Sequence, residues 1–198
     1  PLSEQFPVVG VGASAGGLDS FKRFIKAIPE KSGMAYVLVQ HLSPSHESAL
    51  TEILQKISKI PVEEITDDVK INVFFTSLAV VRDSFAIGVV LSGSGSDGTI
   101  GLKMIREYGG VTIAQDQESA AFGDMPLHAV NAGVVDFVLL PEQIPDNILQ
   151  INRTSHTGTP EKEKEKEKEE KISTDDEKVF KQIQMLLHQF SGVDFIYY

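Results

Sequence analysis

Five short apolar runs alternate with amphipathic segments along the first part of the chain, and this alternation constrains the fold more than any other feature. The runs predict strands at 7–12, 35–40, 85–91, 111–114 and 134–139. Apolar residues recur at helical spacing in the intervening segments, which predicts helices at 18–28, 47–58, 72–82, 99–108 and 126–131. Strands that are apolar on both faces and alternate with helices form a parallel sheet covered on both sides. We therefore predict an α/β fold, with three α/β/α layers around a doubly wound, mostly parallel sheet.

The composition changes after about Ile151. Residues 161–171 read EKEKEKEKEEK, and such a segment of Glu and Lys has no apolar face to bury. Apolar residues then recur at helical spacing through 179–190. The sequence predicts a globular domain at 6–150, a charged low-complexity linker at 151–174, and a C-terminal helix at 175–198 that opens a truncated second domain.

Charge and composition exclude several classes of protein. The 28 Asp and Glu outnumber the 18 Lys and Arg, for a formal net charge of −10, whereas a nucleic-acid binder needs the opposite balance. The absence of cysteine excludes disulfides and thiolate catalysis. No apolar run approaches the roughly 18 residues of a membrane span, and no signal peptide is visible at the start. We expect a cytoplasmic protein that binds no nucleic acid and does not insert into the membrane.

Polar side chains follow three of the predicted strands. Ser14 follows the first strand, His41 follows the second, and Asp97 lies in the glycine-rich loop after the strand at 85–91. Because the carboxyl ends of parallel strands meet at one edge of a sheet, we expect these side chains to lie close together. Ser, His and Asp are the set needed for acyl transfer. Each alone is more often a turn, cap or structural residue, but the three together favour a catalytic triad.

The pattern Gly12-x-Ser14-x-Gly16 matches a nucleophile elbow, in which small residues permit a tight turn from strand to helix. A helix beginning after Ser14 would present backbone N–H groups to an oxyanion. The chain order Ser, His, Asp differs from that of the α/β-hydrolases. This difference argues against that superfamily, although the geometric roles could still be filled.

Two other kinds of site use the same stretches. Gly10-x-Gly12-x-x-Ala15 and Gly93-x-Gly95-x-x-Gly98 match the dinucleotide-binding fingerprint. That fingerprint expects an acidic residue at the end of the second strand, where this chain has Gln40. A metal site at His41 and His46 is disfavoured because their spacing does not set them on one helical face. We expect no metal or cofactor, and keep a nucleotide-binding α/β domain as an alternative.

Five characteristic stretches cover most of residues 6–150: VGVGASAGG at 9–17, VQHL at 39–42, GVVLSGSGSDG at 88–98, AQD at 114–116 and FGDMP at 122–126. In their order and local sequence they resemble the catalytic domain of the chemotaxis protein-glutamate methylesterases. The resemblance implies a doubly wound α/β fold and hydrolysis of γ-glutamyl methyl esters on chemoreceptor signalling helices. It also implies amidase activity on certain receptor glutamines.

The resemblance also implies roles for individual residues. By position, Ser14 resembles the nucleophile, His41 the general base and acid, and Asp97 the carboxylate that orients His41. Ala15 stands where the family usually has Thr, and Ser94 stands where it usually has Met. The resemblance implies that the backbone of Ala15 and Ser94 contributes to an oxyanion hole, and neither departure removes a member of the triad.

One departure from the family is larger. Between Asp68 and Asn72 the family normally carries several tens of residues, including a strand and a loop beside the substrate cleft. Here 66–70 runs straight into the helix that begins near Asn72. We expect the protein itself to carry that segment, because a strand and part of the cleft wall would otherwise be lost.

The tail carries a second resemblance. Residues 180–198, above all GVDF at 192–195, are similar to the start of the helical N-terminal domain of chemoreceptor methyltransferases. This implies a fusion with the esterase first, and it implies two partners: the cytoplasmic helices of methyl-accepting chemoreceptors and the fused methyltransferase region. A degenerate esterase that serves as a regulatory or docking module is a further alternative.

Overall fold

The computed structural model describes residues 6–40, 50–64 and 70–156, the last three by their backbone alone. Within these residues, five strands alternate with helices. The strands are β1 (Val8–Ala13), β2 (Ala35–Gln40), β3 (Ala86–Val90), β4 (Val111–Gln115) and β5 (Phe137–Leu139). The helices are α1 (Gly17–Ala27), α2 (Leu50–Ile57), α3 (Ile71–Arg82), α4 (Thr99–Glu107), α5 (Asp124–Asn131) and α6 (Ile144–His156). Short 3₁₀ turns lie at Asp83–Phe85, Gln117–Ser119 and Pro141–Gln143.

The five strands form one parallel sheet in the order β2-β1-β3-β4-β5. The chain moves outward from β1 to β2 and then crosses back to β3 on the other side of β1. The crevice between the carboxyl ends of β1 and β3 is therefore the topological switch point, where open parallel sheets bind their ligands. The predicted α/β class with a doubly wound parallel sheet is confirmed.

The central strands are glycine-rich where helices approach them. All residues of β1 and β3 are buried. A Cβ added to Gly10 would lie 2.7 Å from the ring of Phe74, and one added to Gly12 would lie 2.5 Å from the side chain of Ile71. Because these glycines carry no side chain, α3 packs closely on this face of β1. Gly88 of β3 faces α4 in the same way.

The helix α1 covers the other face of the sheet. Ala13 points away from the face of Gly12, since side chains alternate along a strand. A Cβ added to Gly17, the first residue of α1, would lie 2.7 Å from the Cβ of Ala13. Phe21 and Phe24 of α1 are fully buried. The three predicted layers are thus present, with α3 and α4 on one face and α1 on the other.

The crossover from β2 to β3 contains α2 and α3, and no additional strand among its described residues. The sequence is continuous between residues 64 and 70, and 65–69 lie outside the described part. The expectation that this protein carries the family's extra segment is therefore wrong for this chain. The packing shows how the sheet forms without that segment: α3 lies directly on the glycine face of β1 and leads through one 3₁₀ turn into β3.

Two elements differ from the sequence prediction. The strand β5 comprises Phe137–Leu139 rather than 134–139, and its Phe137 and Val138 are exposed at the edge of the sheet. The helix α6 is not predicted by the periodicity, and Pro145 stands in its first turn. Proline is tolerated there because its missing N–H would have no partner within the helix. The helix continues to His156, inside the range predicted as linker.

The chain divides into two compact units, Pro1–Asn147 and Ile148–Tyr198. All five strands and the loops at their carboxyl ends belong to the first unit. The predicted linker beyond residue 156 and the predicted C-terminal helix at 175–198 lie outside the described residues. Among the residues that are described, no helix is long and apolar enough to cross a membrane.

Candidate active site

Ser14 is the first residue after β1, and a short turn leads from it into α1. Its N–H donates to the carbonyl of Ser92 at 3.0 Å, and its own carbonyl accepts the N–H of Gly17 at 2.9 Å. Gly16 adopts the left-handed conformation with φ of 68°, and a Cβ there would lie 2.7 Å from the Cβ of Ala121. Conformation and space both require glycine. The tight strand-to-helix turn predicted from the G-x-S-x-G pattern is therefore present.

The fold places Ser14 at the switch point. The register sets Ala13 of β1 beside Gln40 of β2, and Gly12 beside Val90 of β3, so the chain leaves these three strands at one edge. The Cβ of Ser14 lies 3.1 Å from the position that a Cβ on Gly93 would occupy. The absence of a side chain at residue 93 thus lets the loop after β3 lie directly against Ser14.

Asp97 lies near the end of that loop, just before α4. Its Oδ1 accepts the N–H of Gly98 at 2.9 Å, and its side chain is half-buried. Ser94 is exposed in the same loop, and Ala15 is half-buried in the turn after Ser14. The structure therefore brings Ser14 into contact with the loop that carries both Ser94 and Asp97.

His41 lies outside the described residues, as does His46. In a triad, His41 would form hydrogen bonds with both Ser14 and Asp97. The end of β2 shows where the chain leads into His41. Gln40 lies beside Ala13, and the residues that follow these two in the sequence are His41 and Ser14.

The glycines of the first dinucleotide fingerprint allow a helix to pack against β1. Gly10 and Gly12 lie inside β1 and face α3, rather than in a turn that could hold a phosphate. This packing argues against the nucleotide alternative. In 6–40, 50–64 and 70–156, no cluster of three or more His, Asp or Glu side chains could hold a metal ion.

Ser92 is a polar centre of this edge that the sequence analysis does not single out. It is fully buried, two residues after β3. Its Oγ donates to the carbonyl of Ala15 at 2.9 Å and accepts the N–H of Phe122 at 3.0 Å. Since its carbonyl also accepts the Ser14 N–H, Ser92 joins the loop after β1 to the loop before α5.

Gln115, the last residue of β4, holds Ser92 from the other side. It is fully buried, and its Oε1 accepts the Ser92 N–H at 2.9 Å. Its Nε2 donates to the Oγ of Ser119 at 3.1 Å, which in turn donates to the carbonyl of Asp116 at 2.8 Å. Ser92 and Gln115 are polar residues at the ends of apolar strands. This is the signal that selected Ser14, and it could have found them as well.

The loop before α5 forms one wall of the site. Gly93 donates its N–H to the carbonyl of Phe122 at 2.9 Å, and its carbonyl accepts the N–H of Met125 at 3.0 Å. Met125 is fully buried, whereas Phe122 is 49% exposed. The Phe122 ring lies beside the turn, since a Cβ on Gly16 would be 3.0 Å from its Cδ2. An aromatic ring therefore stands beside the turn that carries Ser14.

Fold and site together define an open parallel α/β domain with a serine on a tight turn at the switch point, the edge where such sheets place their chemistry. The family model described as CheB methylesterase matches the chain over residues 9–72 and 68–148. The chain belongs to the CheB methylesterase family.

Individual relatives agree with this assignment. A relative from Leptospira interrogans is 27% identical over 188 aligned positions, covering 76% of this chain and 97% of its own. A Burkholderia thailandensis protein named protein-glutamate methylesterase/protein-glutamine glutaminase 4 is 30% identical, covering 73% of this chain and 53% of its own. The crystal structure of the Thermotoga maritima CheB methylesterase catalytic domain has the same fold, with a TM-score of 0.66, 24% identity, and coverage of 74% and 98%.

The alignments also measure what this chain lacks. The 76% of its 198 residues that align with the Leptospira relative amount to about 150, so about 38 of the 188 aligned positions have no counterpart here. The two parts of the family match meet at residues 68–72. The family's extra segment, expected between Asp68 and Asn72, is missing at this same point.

Proposed function

We propose that this chain hydrolyses γ-glutamyl methyl esters on chemoreceptor helices and deamidates certain receptor glutamines. The observation that carries the proposal is the turn at Ser14, where a serine at the switch point has its backbone held on both sides. Family membership supports the same chemistry, as does the name of the Burkholderia relative. The site requires no cofactor for this reaction.

The reaction uses the triad twice. The Ser14 Oγ attacks the ester carbonyl while His41 takes its proton; the bond to methoxide then breaks, and His41 returns the proton to release methanol. Water next attacks the glutamyl ester on Ser14 while His41 takes its proton. The bond to the Ser14 Oγ then breaks and His41 returns the proton to that oxygen, which frees the glutamate side chain. Asp97 orients His41 and stabilises the imidazolium.

Backbone N–H groups of Ala15 and Ser94 are the proposed oxyanion donors. The Ser14 carbonyl is held by the Gly17 N–H, and in a trans peptide the following N–H points the opposite way. The direction of the Ala15 N–H is therefore fixed before substrate binds, as an oxyanion hole requires. Losing one such donor typically costs about 10²–10³ in rate.

The proposed partner is the cytoplasmic helix of a methyl-accepting chemoreceptor, which places the activity in the cytoplasm. We also propose that the charged segment within 151–174 links this domain to a fused methyltransferase region, which opens at 175–198. Neither nucleic acid nor insertion into the membrane has a part in this mechanism.

Methanol release from methylated chemoreceptor membranes tests the proposal. We expect release from the wild type and none above background from Ser14→Ala. Ser77→Ala is the matched control, because Ser77 lies in α3 with its Oγ bonded to the carbonyl of Val73. Release that is unchanged in Ser14→Ala would remove Ser14 as the nucleophile.

A degenerate esterase that acts as a docking module is the second candidate. The observations that favour it are the missing segment and the substitutions at Ala15 and Ser94. It predicts no methanol release from the wild type, together with binding to receptor membranes that Ser14→Ala leaves intact.

A further inference from the structure

We propose that Ser92 is a positioning residue for Ser14, and that the buried side chain of Gln115 fixes Ser92 in turn. The inference rests on the proposed function, since it takes Ser14 as the nucleophile. Ser92 touches no substrate in this scheme and acts only through the backbone of the turn.

Three consecutive peptide groups around Ser14 are held in place. The first is held at the Ser14 N–H by the carbonyl of Ser92, and the second at the Ser14 carbonyl by the N–H of Gly17. The third is held at the Ala15 carbonyl by the Ser92 Oγ. Two of the three bonds come from Ser92. Together they set the direction of the Ser14 Cα–Cβ bond and of the Ala15 N–H.

The polar groups of Ser92 are all engaged. Its N–H, its carbonyl and its Oγ, both as donor and as acceptor, each have a partner within 3.0 Å. The side-chain amide of Gln115 has one possible orientation. The Ser92 N–H can only donate, so it must face the Oε1 of Gln115 and not its Nε2. Gln115 thus links β4 to the turn through Ser92.

Removal of the Ser92 hydroxyl should slow the chemical step more than it weakens ester binding. A nucleophile must approach its carbonyl in a narrow geometry, and a displacement of about 1 Å costs about 10²-fold in rate. We expect Ser92→Ala to lower kcat about 10–100-fold. KM should stay close to that of the wild type, because the hydroxyl faces the turn and not the ester.

Thr112→Val is the matched control for lost packing and hydrogen bonding. Thr112 is fully buried like Ser92, and its Oγ1 likewise donates one hydrogen bond and accepts one, both with Asp136. Across the sheet, Thr112 is level with Gly10. Because Gly10 precedes Ser14 by four residues, Thr112 lies away from the carboxyl edge. We expect it to lower the melting temperature much as Ser92→Ala does, with kcat unchanged.

Amide hydrogen exchange gives a readout that does not depend on esterase activity. In Ser92→Ala, the amides of residues 14–17 should exchange faster than in the wild type, whereas Thr112→Val should leave them protected. Equal protection in both variants would overturn the proposal even if the chain proved to have no esterase activity.

The kinetic outcomes separate the two proposals. If the wild type releases no methanol, or if release does not depend on Ser14, the proposed function is wrong. The role of Ser92 is then tested by amide hydrogen exchange alone. If Ser14-dependent release occurs but Ser92→Ala matches Thr112→Val in kcat, the positioning role is wrong. Should Ser92→Ala not fold, Gln115→Met, which removes the acceptor for the Ser92 N–H at similar volume, is measured instead, with the same fall in kcat expected.

Discussion

Phe122 and Gly16 lie against each other at the rim of the candidate active site, so closely that a Cβ on Gly16 would sit 3.0 Å from Cδ2 of the ring. The Phe122 backbone is held by Ser92 and Gly93, while its ring is 49% exposed. A fixed and half-exposed ring beside the turn of Ser14 is suited to contact an apolar part of the proposed substrate helix.

Phe122→Ala should therefore weaken substrate binding. We expect KM for methylated receptor to rise about 5- to 30-fold, since burying such a ring contributes about 1–2 kcal/mol, with little change in kcat. Tyr108→Ala is the control, because Tyr108 is similarly exposed at the end of α4. Steady-state methanol release checks both values, and an unchanged KM would exclude the ring from the substrate contact.

Gly16→Ala should lower the stability of the fold. The substitution forces a side chain into the left-handed region and against Ala121. Gly33→Ala isolates the first effect, since Gly33 has the same φ of 68° with nothing within 4 Å of an added Cβ. We expect Gly33→Ala to cost about 1–2 kcal/mol of unfolding free energy, and Gly16→Ala at least about 1 kcal/mol more. Urea denaturation measures both, and equal losses would mean that Gly16 is not crowded.

The fold could be predicted because its strands are apolar on both faces. The central strands β1 and β3 begin and end within about one residue of their predicted bounds. Because both faces of these strands are buried, nearly every residue in them must be apolar or small. The sequence prediction is weaker toward the C terminus. There β5 is a short, exposed edge strand, and α6 begins with a proline in its first turn.

The site could be predicted only in part. The turn at Ser14 has a local signature, because Gly16 must be a glycine wherever that turn occurs. No local sequence pattern marks the hydrogen bond between Gln115 and Ser92. It joins residues 23 positions apart and depends on how β3 and β4 are aligned. The catalytic roles of Ser14, His41 and Asp97, and the oxyanion roles of Ala15 and Ser94, remain predictions.

Asp97→Asn tests the third member of the proposed triad. The variant should fold normally, because an Asn Oδ1 can still accept the Gly98 N–H. It should lose about 10⁴-fold in kcat, as when the orienting carboxylate is lost from a serine-protease triad. Asp146→Asn, an exposed change in the first turn of α6, controls for the lost charge. Turnover near that of the wild type would remove Asp97 from the triad.

The ion pair between Arg23 of α1 and Glu142 should make stability depend on pH. Arg23 Nε donates to Glu142 Oε2 at 2.8 Å and Nη2 donates to Oε1 at 3.0 Å. The hydrogen bond from Arg23 holds the pKa of Glu142 below its ordinary value of 4.5. A carboxylate with a lowered pKa stabilises the folded state above its unfolded pKa, and this contribution is lost as the pH falls through the folded value.

Glu142→Gln should therefore lower the melting temperature at pH 7 and lose that effect as the pH falls below about 4.5. The pair is partly exposed, so we expect less than about 1 kcal/mol at pH 7. Glu107→Gln is the control, because Glu107 makes a looser and more exposed pair with Lys103 at 3.8 Å. Thermal melts of both variants between pH 3 and pH 7 measure the difference. A Glu142→Gln effect that persists unchanged at pH 3 would show that the carboxylate charge does not stabilise the fold, and would leave packing of the side chain as the cause.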